Sequence, residues 1–142
     1  MVQRYRARIS GPLLDRIDLH VEVPQLRDAE LLGPTEGEAS ARVRERVVAA
    51  RDRQLARFRA LPGVFANAHM GPREIRRFCP IDAGGEALLR GAIQRLGLSA
   101  RAYHRVLRLA RTIADLEGTE RLAPAHVAEA IQYRGLDRQR AL

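Results

Sequence analysis

The stretch from residue 98 to residue 117 carries the clearest pattern of apolar and polar positions in the chain. At about 100° per residue, its apolar side chains cover nearly half of a helix circumference, and its polar side chains form a narrow stripe opposite. So wide an arc predicts the central helix of a bundle, with Ser99 as N-cap and Gly118 as C′ residue. The apolar positions are Leu98, Ala102, Val106, Leu109, Ala110, Ile113 and Leu116, and the polar positions are Arg101, Arg105, Arg108, Thr112 and Asp115.

A longer helix is predicted upstream of this one. Thr35 and Glu38 have the spacing of a capping box, and the run Leu61-Pro62-Gly63 ends the helix. Apolar side chains recur on one face at Val43, Val47, Ala50, Phe58 and Leu61. The other side carries the arginine stripe, which consists of Arg42, Arg46, Arg53 and Arg57. This stripe either follows nucleic-acid phosphates or is solvated charge, and solvated charge is the favoured interpretation, as it is for Arg105 and Arg108.

Three shorter helices are predicted over residues 72–79, 82–97 and 124–135. Pro72 and Pro124 occupy first helical positions, Asp82 is an N-cap, and Gly97 is a C′ residue that leads directly into the central helix. The apolar residues expected to face inward are Leu88, Leu89, Ala92, Ile93 and Leu96 in the second of these helices and Val127, Ala130 and Ile131 in the third.

One strand is predicted before the helices. Apolar and polar residues alternate from Ile17 to Val23, and Pro24 ends the run. A single strand cannot satisfy its own backbone groups, so its sheet is expected to lie outside this chain. The predicted fold is therefore an all-α helical bundle preceded by one orphan β-strand segment. Residues 1–24 would be the remnant of a truncated α/β domain, poorly ordered alone, residues 25–36 a linker, and residues 37–142 the helical domain.

Composition narrows this picture only in part. The chain has 142 residues, of which 46% are apolar and 4% aromatic, and this favours a helical core of Leu, Ile, Val and Ala. The net charge of +8 suggests an anionic partner. All 25 basic residues are arginine, however, which indicates a coding bias rather than selection of one surface, so the charge is discounted.

Several kinds of site are excluded by the residue inventory. Cys79 is the single cysteine, and the four histidines have no metal-binding spacing, so neither an internal disulfide nor a metal site is expected. A phosphate-binding P-loop needs a lysine, which the chain lacks, and no apolar run ends in paired carboxylates for magnesium. This chain alone is therefore not expected to be catalytic. Since no signal peptide or membrane span is apparent, a cytoplasmic location without membrane contact is expected.

Arg101 is the strongest candidate for a binding residue. It lies in the first turn of the predicted central helix, where the positive end of the helix dipole disfavours a cation by a few tenths of a kcal/mol, up to about 1. A phosphate would meet the guanidinium and the free backbone N–H groups together. On these grounds alone Arg101 either binds an anion or points into water.

Six blocks of sequence resemble one known family. They are Arg8–Pro24, Glu38–Val47, Asn67-Ala68, Leu98–Arg105, Ala110–Leu116 and Glu129–Arg134, and together they extend over nearly the whole chain. The first resembles the final segment of the ATPase core in magnesium-chelatase-like AAA+ proteins. The others resemble the lid of the same family, most closely its ComM (YifB) branch of competence-linked proteins regarded as DNA helicases. The upstream nucleotide motifs are missing, so the chain is interpreted as a carboxy-terminal fragment.

The resemblance implies roles for two arginines. Arg101 matches the sensor 2 arginine, which contacts ATP phosphates from the lid side. Arg16 occupies the position of an arginine finger that reaches the ATP of a neighbouring subunit, unless it forms an ion pair with Asp15 or Asp18. ATP and Mg²⁺ would be bound by the full-length parent and not by the fragment. The implied partners are the missing ATPase core, neighbouring subunits of a homo-oligomeric ring, and DNA.

Three functions remain open at this stage. The first is a ComM-type lid that couples ATP binding and hydrolysis to ring motion, in DNA helicase or branch-migration work. The second is the lid of a magnesium chelatase subunit in tetrapyrrole metal insertion. The third is an independent arginine-rich module that binds nucleic acid, which the sequence supports least because no aromatic platform or helix-turn-helix pattern is evident.

Overall fold

The structure is a computed structural model that describes residues 13, 16–21, 23, 24 and 37–134. These residues form five α-helices and a 3₁₀ turn at Asn67–His69. The helices are α1 (Ser40–Phe58), α2 (Pro72–Phe78), α3 (Ala83–Leu96), α4 (Ala100–Glu117) and α5 (Pro124–Gln132). The helical part of the predicted fold class is confirmed.

The predicted strand is not observed. Residues 16–21, 23 and 24 have irregular backbone, and no strand occurs among the described residues. A strand needs a neighbour for its N–H and C=O groups, and the described residues offer none. Instead, the backbone N–H of His20 donates to the carbonyl of Tyr133 at 2.8 Å. The linker at 25–36 lies outside the described residues, and the division into a remnant, a linker and a helical domain stays a prediction.

Helix α4 is the centre of the bundle, as its wide apolar arc predicts. It packs against α1, α2, the 3₁₀ turn and α5, and α5 also packs against α3. The buried apolar side chains of all five helices and their connections form one core. Its members include Phe58, Met70, Ile75, Leu89, Leu96, Leu98, Val106, Leu107, Ala110, Ile113, Leu122 and Val127.

Local signals account for both ends of α4 and α3. The hydroxyl of Ser99 accepts from the Ala102 N–H at 3.1 Å, and the carboxylate of Asp82 accepts from the Gly85 N–H at 2.8 Å. Gly97 and Gly118 follow the last turns with φ of 60° and 80°, in the left-handed region that favours glycine. These four predicted caps are confirmed.

Helix α1 begins later than predicted. It starts at Ser40 with Ala39 as N-cap, so the capping box of Thr35 and Glu38 is wrong. Both carboxylate oxygens of Glu38 instead accept from the guanidinium of Arg46, at 2.7 and 2.8 Å. An acidic side chain used in this way is not available to cap a helix.

Five residues predicted to face inward are exposed. They are Val43, Val47, Leu88, Ile93 and Leu116. Helix α1 buries only Ala50, Gln54 and Phe58, all in its second half, because the bundle covers only that half. Helix α3 is buried along Leu89, Ala92 and Leu96, which leaves its flanking apolar residues at the edge of the interface.

Candidate functional site

Arg101 lies where the sequence predicts, in the first turn of α4. Its side chain is exposed, the first turn contains no acidic residue, and Ser99 provides the N-cap. The guanidinium at the positive end of the helix is thus accessible to an anion. The role of Arg101 in binding phosphate stays a prediction.

Arg16 is also exposed, and the segment that follows it is held against the helices. A carboxylate oxygen of Asp18 lies 3.1 Å from Nε of Arg105, one helical turn after Arg101 on α4. The carbonyl of Ile17 accepts from the guanidinium of Arg134 at 2.5 Å. Asp18 therefore pairs with Arg105, which corrects the prediction that Arg105 is solvated; Asp15 lies outside the described residues.

The arginines of the α1 stripe have different partners and different exposure. Arg46 is held by Glu38, Arg53 donates to the backbone carbonyl of Asp115 at 3.2 Å, and Arg57 forms a two-point ion pair with the carboxylate of Asp115. The side chain of Arg57 is only 15% exposed, so its interpretation as solvated charge is wrong. Arg42 is exposed. A nucleic-acid role for the stripe stays a prediction.

The pairing of Arg57 is part of a buried polar cluster centred on Asp115, which has no exposed surface. One of its carboxylate oxygens accepts from Arg57 at 2.7 Å and from the side-chain amide of Asn67 at 2.8 Å. The other lies 3.2 Å from a guanidinium nitrogen of Arg111. One carboxylate thus joins α1, the 3₁₀ turn and α4. We call Arg57, Asn67, Arg111 and Asp115 the Asp115 cluster.

Asn67 and Arg111 extend the cluster to the neighbouring backbone. The backbone N–H of Asn67 donates to the side-chain carbonyl of Gln54 at 3.1 Å. The guanidinium of Arg111 donates to the carbonyls of Thr119 and Glu120, each at 2.5 Å. Burial lowers the pKa of Arg111, and the adjacent Asp115 carboxylate partly opposes this shift. The cluster thereby holds both the loop after α1 and the turn after α4.

The sequence that forms this bundle matches a known protein family. Residues 37–134 match the family model described as magnesium chelatase, subunit ChlI C-terminal, and residues 1–31 match the model described as magnesium chelatase, subunit ChlI. The first match alone covers more than half of the chain.

The chain belongs to the magnesium chelatase family.

Several known proteins are similar to this chain over most of its length. It is 43% identical to the competence protein ComM of Haemophilus influenzae over 96% of this chain and 26% of the relative. It is 44% identical to the uncharacterized protein YifB of Escherichia coli over 95% of this chain, and 40% identical to an uncharacterized protein of Mycobacterium tuberculosis over 93%. In each case the chain spans about a quarter of the relative's length.

Two of the sequence blocks that resemble the family supply three of the four residues of the Asp115 cluster. Asn67 comes from the short block Asn67-Ala68, and Arg111 and Asp115 come from the block Ala110–Leu116. Their contact is not evident from the sequence, because Asp115 belongs to a polar stripe opposite the apolar arc. The available signal was the composition of that stripe, in which a single carboxylate accompanies three arginines and a threonine.

The remaining arginine of the α4 stripe is also engaged. A guanidinium nitrogen of Arg108 donates to the carbonyl of Met70, and its Nε is buried without a partner among the described residues. The prediction that Arg108 is solvated is therefore wrong, because the loop before α2 covers it. Arg101 is thus exposed at one end of the polar stripe of α4, whereas the other charged residues of the stripe, Arg105, Arg108 and Asp115, contact other parts of the protein.

Alkaline pH is expected to destabilise this domain through Cys79. Burial raises the pKa of this thiol from 9.0 to about 12. Since the folded state keeps the thiol neutral, its stabilising contribution is complete below pH 9 and decreases as the pH rises toward 12. We expect the free energy of unfolding to fall by about 2 kcal/mol more in the parent chain than in Cys79→Ala between about pH 8 and about pH 10.5. Denaturant titrations measure this difference, and parallel pH profiles would contradict it.

Proposed function

We propose that this chain is the lid of a ComM/YifB-type AAA+ ATPase and that Arg101 senses the phosphates of ATP. The observation that carries the proposal is the exposed Arg101 at the capped N-terminus of the central helix. A phosphate there would gain a charge-assisted hydrogen bond and the favourable end of the helix dipole. Two observations therefore support this role for Arg101: its resemblance to the sensor 2 arginine and its position in the first turn of α4.

The residues present suit one side of an ATP site. No group of three or more His, Cys, Asp or Glu that could hold a metal ion occurs in the part of the chain that the structure describes. We propose that the ATPase core of the parent supplies the Mg²⁺ ligands and the remaining phosphate contacts. Arg101 would bind and orient the phosphates from the lid side.

The contacts of residues 16–20 suggest how the lid transmits motion. Asp18 pairs with Arg105 of α4, and His20 and Ile17 bond to residues directly after α5. Movement of α4 on nucleotide binding would therefore carry the segment next to Arg16 with it. We propose that this link couples hydrolysis to the motion of neighbouring subunits in a ring.

The task of the parent is proposed to be DNA helicase or branch-migration work. This rests on the resemblance to the ComM branch and is supported by ComM and YifB as relatives at 43–44% identity. A magnesium chelatase subunit is the second candidate, supported by the description of the matching family model. No helix of the described residues is long and apolar enough to cross a membrane.

Replacing Arg101 with alanine in the intact ATPase tests the sensor role. Removing one charge-assisted phosphate contact is expected to lower ATP turnover about tenfold or more. The free energy of unfolding should stay within about 0.5 kcal/mol, because the side chain is exposed. Arg121→Ala is a matched control, since Arg121 is an exposed arginine beyond the far end of α4. Equal turnover in the Arg101 variant, its control and the parent would overturn the proposal.

A further inference from the structure

Phe65 is a largely solvent-exposed aromatic side chain. It lies in the loop between α1 and α2, and 57% of its surface is exposed. Among the described aromatic residues it is the exposed one, since Phe58 is buried and Phe78, Tyr103 and Tyr133 are half-buried. More than half of this aromatic side chain is therefore accessible to a binding partner.

The loop presents Phe65 in a defined position. Two residues later, Asn67 is buried and anchored by Gln54 and Asp115. The backbone N–H of Phe65 donates to Nδ1 of His69 at 3.3 Å, and the two rings meet edge to face with centroids 6.2 Å apart. The Asp115 cluster thus holds the base of the loop, and His69 supports one edge of the phenyl ring.

The chain around this loop is strongly basic. Residues 53–81 contain six arginines and one acidic residue, Glu74. The carboxylate of Glu74 already accepts from the Gly71 N–H at 2.9 Å. Two of the arginines, Arg53 and Arg57, donate to Asp115, and the other four are exposed: Arg59, Arg73, Arg76 and Arg77.

We propose that Phe65 and His69, together with Arg59 and Arg73, the exposed arginines that flank them in the chain, bind single-stranded nucleic acid, and we call these four residues the Phe65 surface. Phe65 would stack on an unpaired base, and the arginines would contact phosphates, which is the combination that sequence-independent single-strand binders use. A base inside a duplex does not expose its face, so the aromatic ring favours single strands. Charge complementarity favours a polyanion over a protein partner, because one isolated ring among arginines is not a continuous apolar patch.

This surface differs from the arginine stripe of α1. Arg46, Arg53 and Arg57 of that stripe are bound to groups of the chain itself, whereas Arg59 and Arg73 of the Phe65 surface are exposed. The proposal extends the DNA work proposed for the parent, but it does not depend on ATP or on Arg101. A test on the nucleotide-free chain therefore separates its failure from failure of the sensor role.

The test is fluorescence anisotropy of the 142-residue chain with a labelled oligothymidylate of ~20 nucleotides and with a duplex of equal length. Phe65→Ala is expected to weaken single-strand binding at low salt at least fivefold, an estimate of about the loss of one stacked base. Arg73→Ala should reduce the slope of log K against log salt by about 0.7 for each lost phosphate contact. Leu116→Ala and Arg121→Ala are the matched apolar and charged controls, because both residues are exposed, and both variants should bind as the parent does.

A second variant keeps the aromatic ring and adds a direct readout. The chain contains no tryptophan, so Phe65→Trp introduces a single tryptophan, whose fluorescence can be excited selectively, at the proposed stacking position. It should bind single strands at least as tightly as the parent, and stacking should quench its fluorescence. Unchanged fluorescence on saturation, or equal affinity of Phe65→Ala and the parent, would overturn the proposal. Concentration-dependent association that Phe65→Ala abolishes, without an effect on DNA binding, would also overturn it and assign the surface to a second copy of the chain.

Discussion

Asp115→Asn is expected to lower the free energy of unfolding by about 3–5 kcal/mol. The substitution preserves the volume of the side chain but removes the negative charge that faces Arg57 and Arg111. Both guanidiniums lie on the inside of the bundle, and Arg111 is only 2% exposed. A buried cation without its counter-ion carries the full cost of leaving water, which is larger than the net value of the ion pair. Chemical denaturation followed by circular dichroism measures the change.

Asp18→Asn is the matched control for Asp115→Asn. It removes the same charge from another aspartate–arginine pair, but the Asp18 side chain is 67% exposed. Its expected cost is at most about 1 kcal/mol, because water compensates the loss. The double variant Asp115→Asn, Arg57→Met should be less destabilised than the sum of its two single variants, since the unpaired charge is removed together with its partner. Additive losses would contradict the interpretation of the cluster as one unit.

Arg16→Ala is expected to reduce ATP turnover of the intact ring about 1,000-fold or more, which is the range for loss of an arginine finger. The expectation rests on the proposed role of Arg16 as a group that stabilises charge on the phosphoryl group of a neighbouring subunit's ATP. Arg16 is exposed, and Asp18 pairs with Arg105. Steady-state hydrolysis assays on the parent and the variant measure the effect.

A mixing experiment separates this action in trans from a local role of Arg16. An Arg16→Ala subunit keeps its own Arg101, and an Arg101→Ala subunit still offers Arg16 to its neighbour. Mixed rings of the two variants are therefore expected to regain turnover at the interfaces where an intact ATP site meets an intact finger. Activity that stays at the level of the two separate variants would show that Arg16 does not act between subunits. Asp18→Asn rings serve as the control for disturbance of the segment itself.

Helix ends were the part of the fold that local sequence predicted well. Ser99, Asp82, Gly97 and Gly118 lie where their side chains or backbone freedom are needed, because a cap satisfies groups within a few residues of itself. The predicted start of α1 was wrong because a capping residue can also find a partner outside its own turn. The Glu38 carboxylate has a competing partner eight residues away in Arg46, which capping-box spacing does not take into account.

Exposure of apolar residues could not be predicted from periodicity alone. Val43 and Val47 continue the face of α1 that buries Ala50 and Phe58, yet they are exposed because α4 and the 3₁₀ turn meet only the second half of the helix. Periodicity identifies which face of a helix is apolar. How much of that face is buried depends on how far the neighbouring helices extend along it.

The sequence by itself determined the helical class, the order of the helices, the central place of α4 and the position of Arg101 at its capped end, since these follow from spacing and capping chemistry within one element. Only the tertiary structure decided which polar residues are surface and which are core. Arg57 and Asp115 both read as parts of polar stripes, and they are 58 residues apart in the chain. A charged residue of a polar stripe enters the interior when a residue of opposite charge faces it, because each charge then replaces the water that the other loses. That pairing depends on how two helices lie against each other, which no pattern within either helix records.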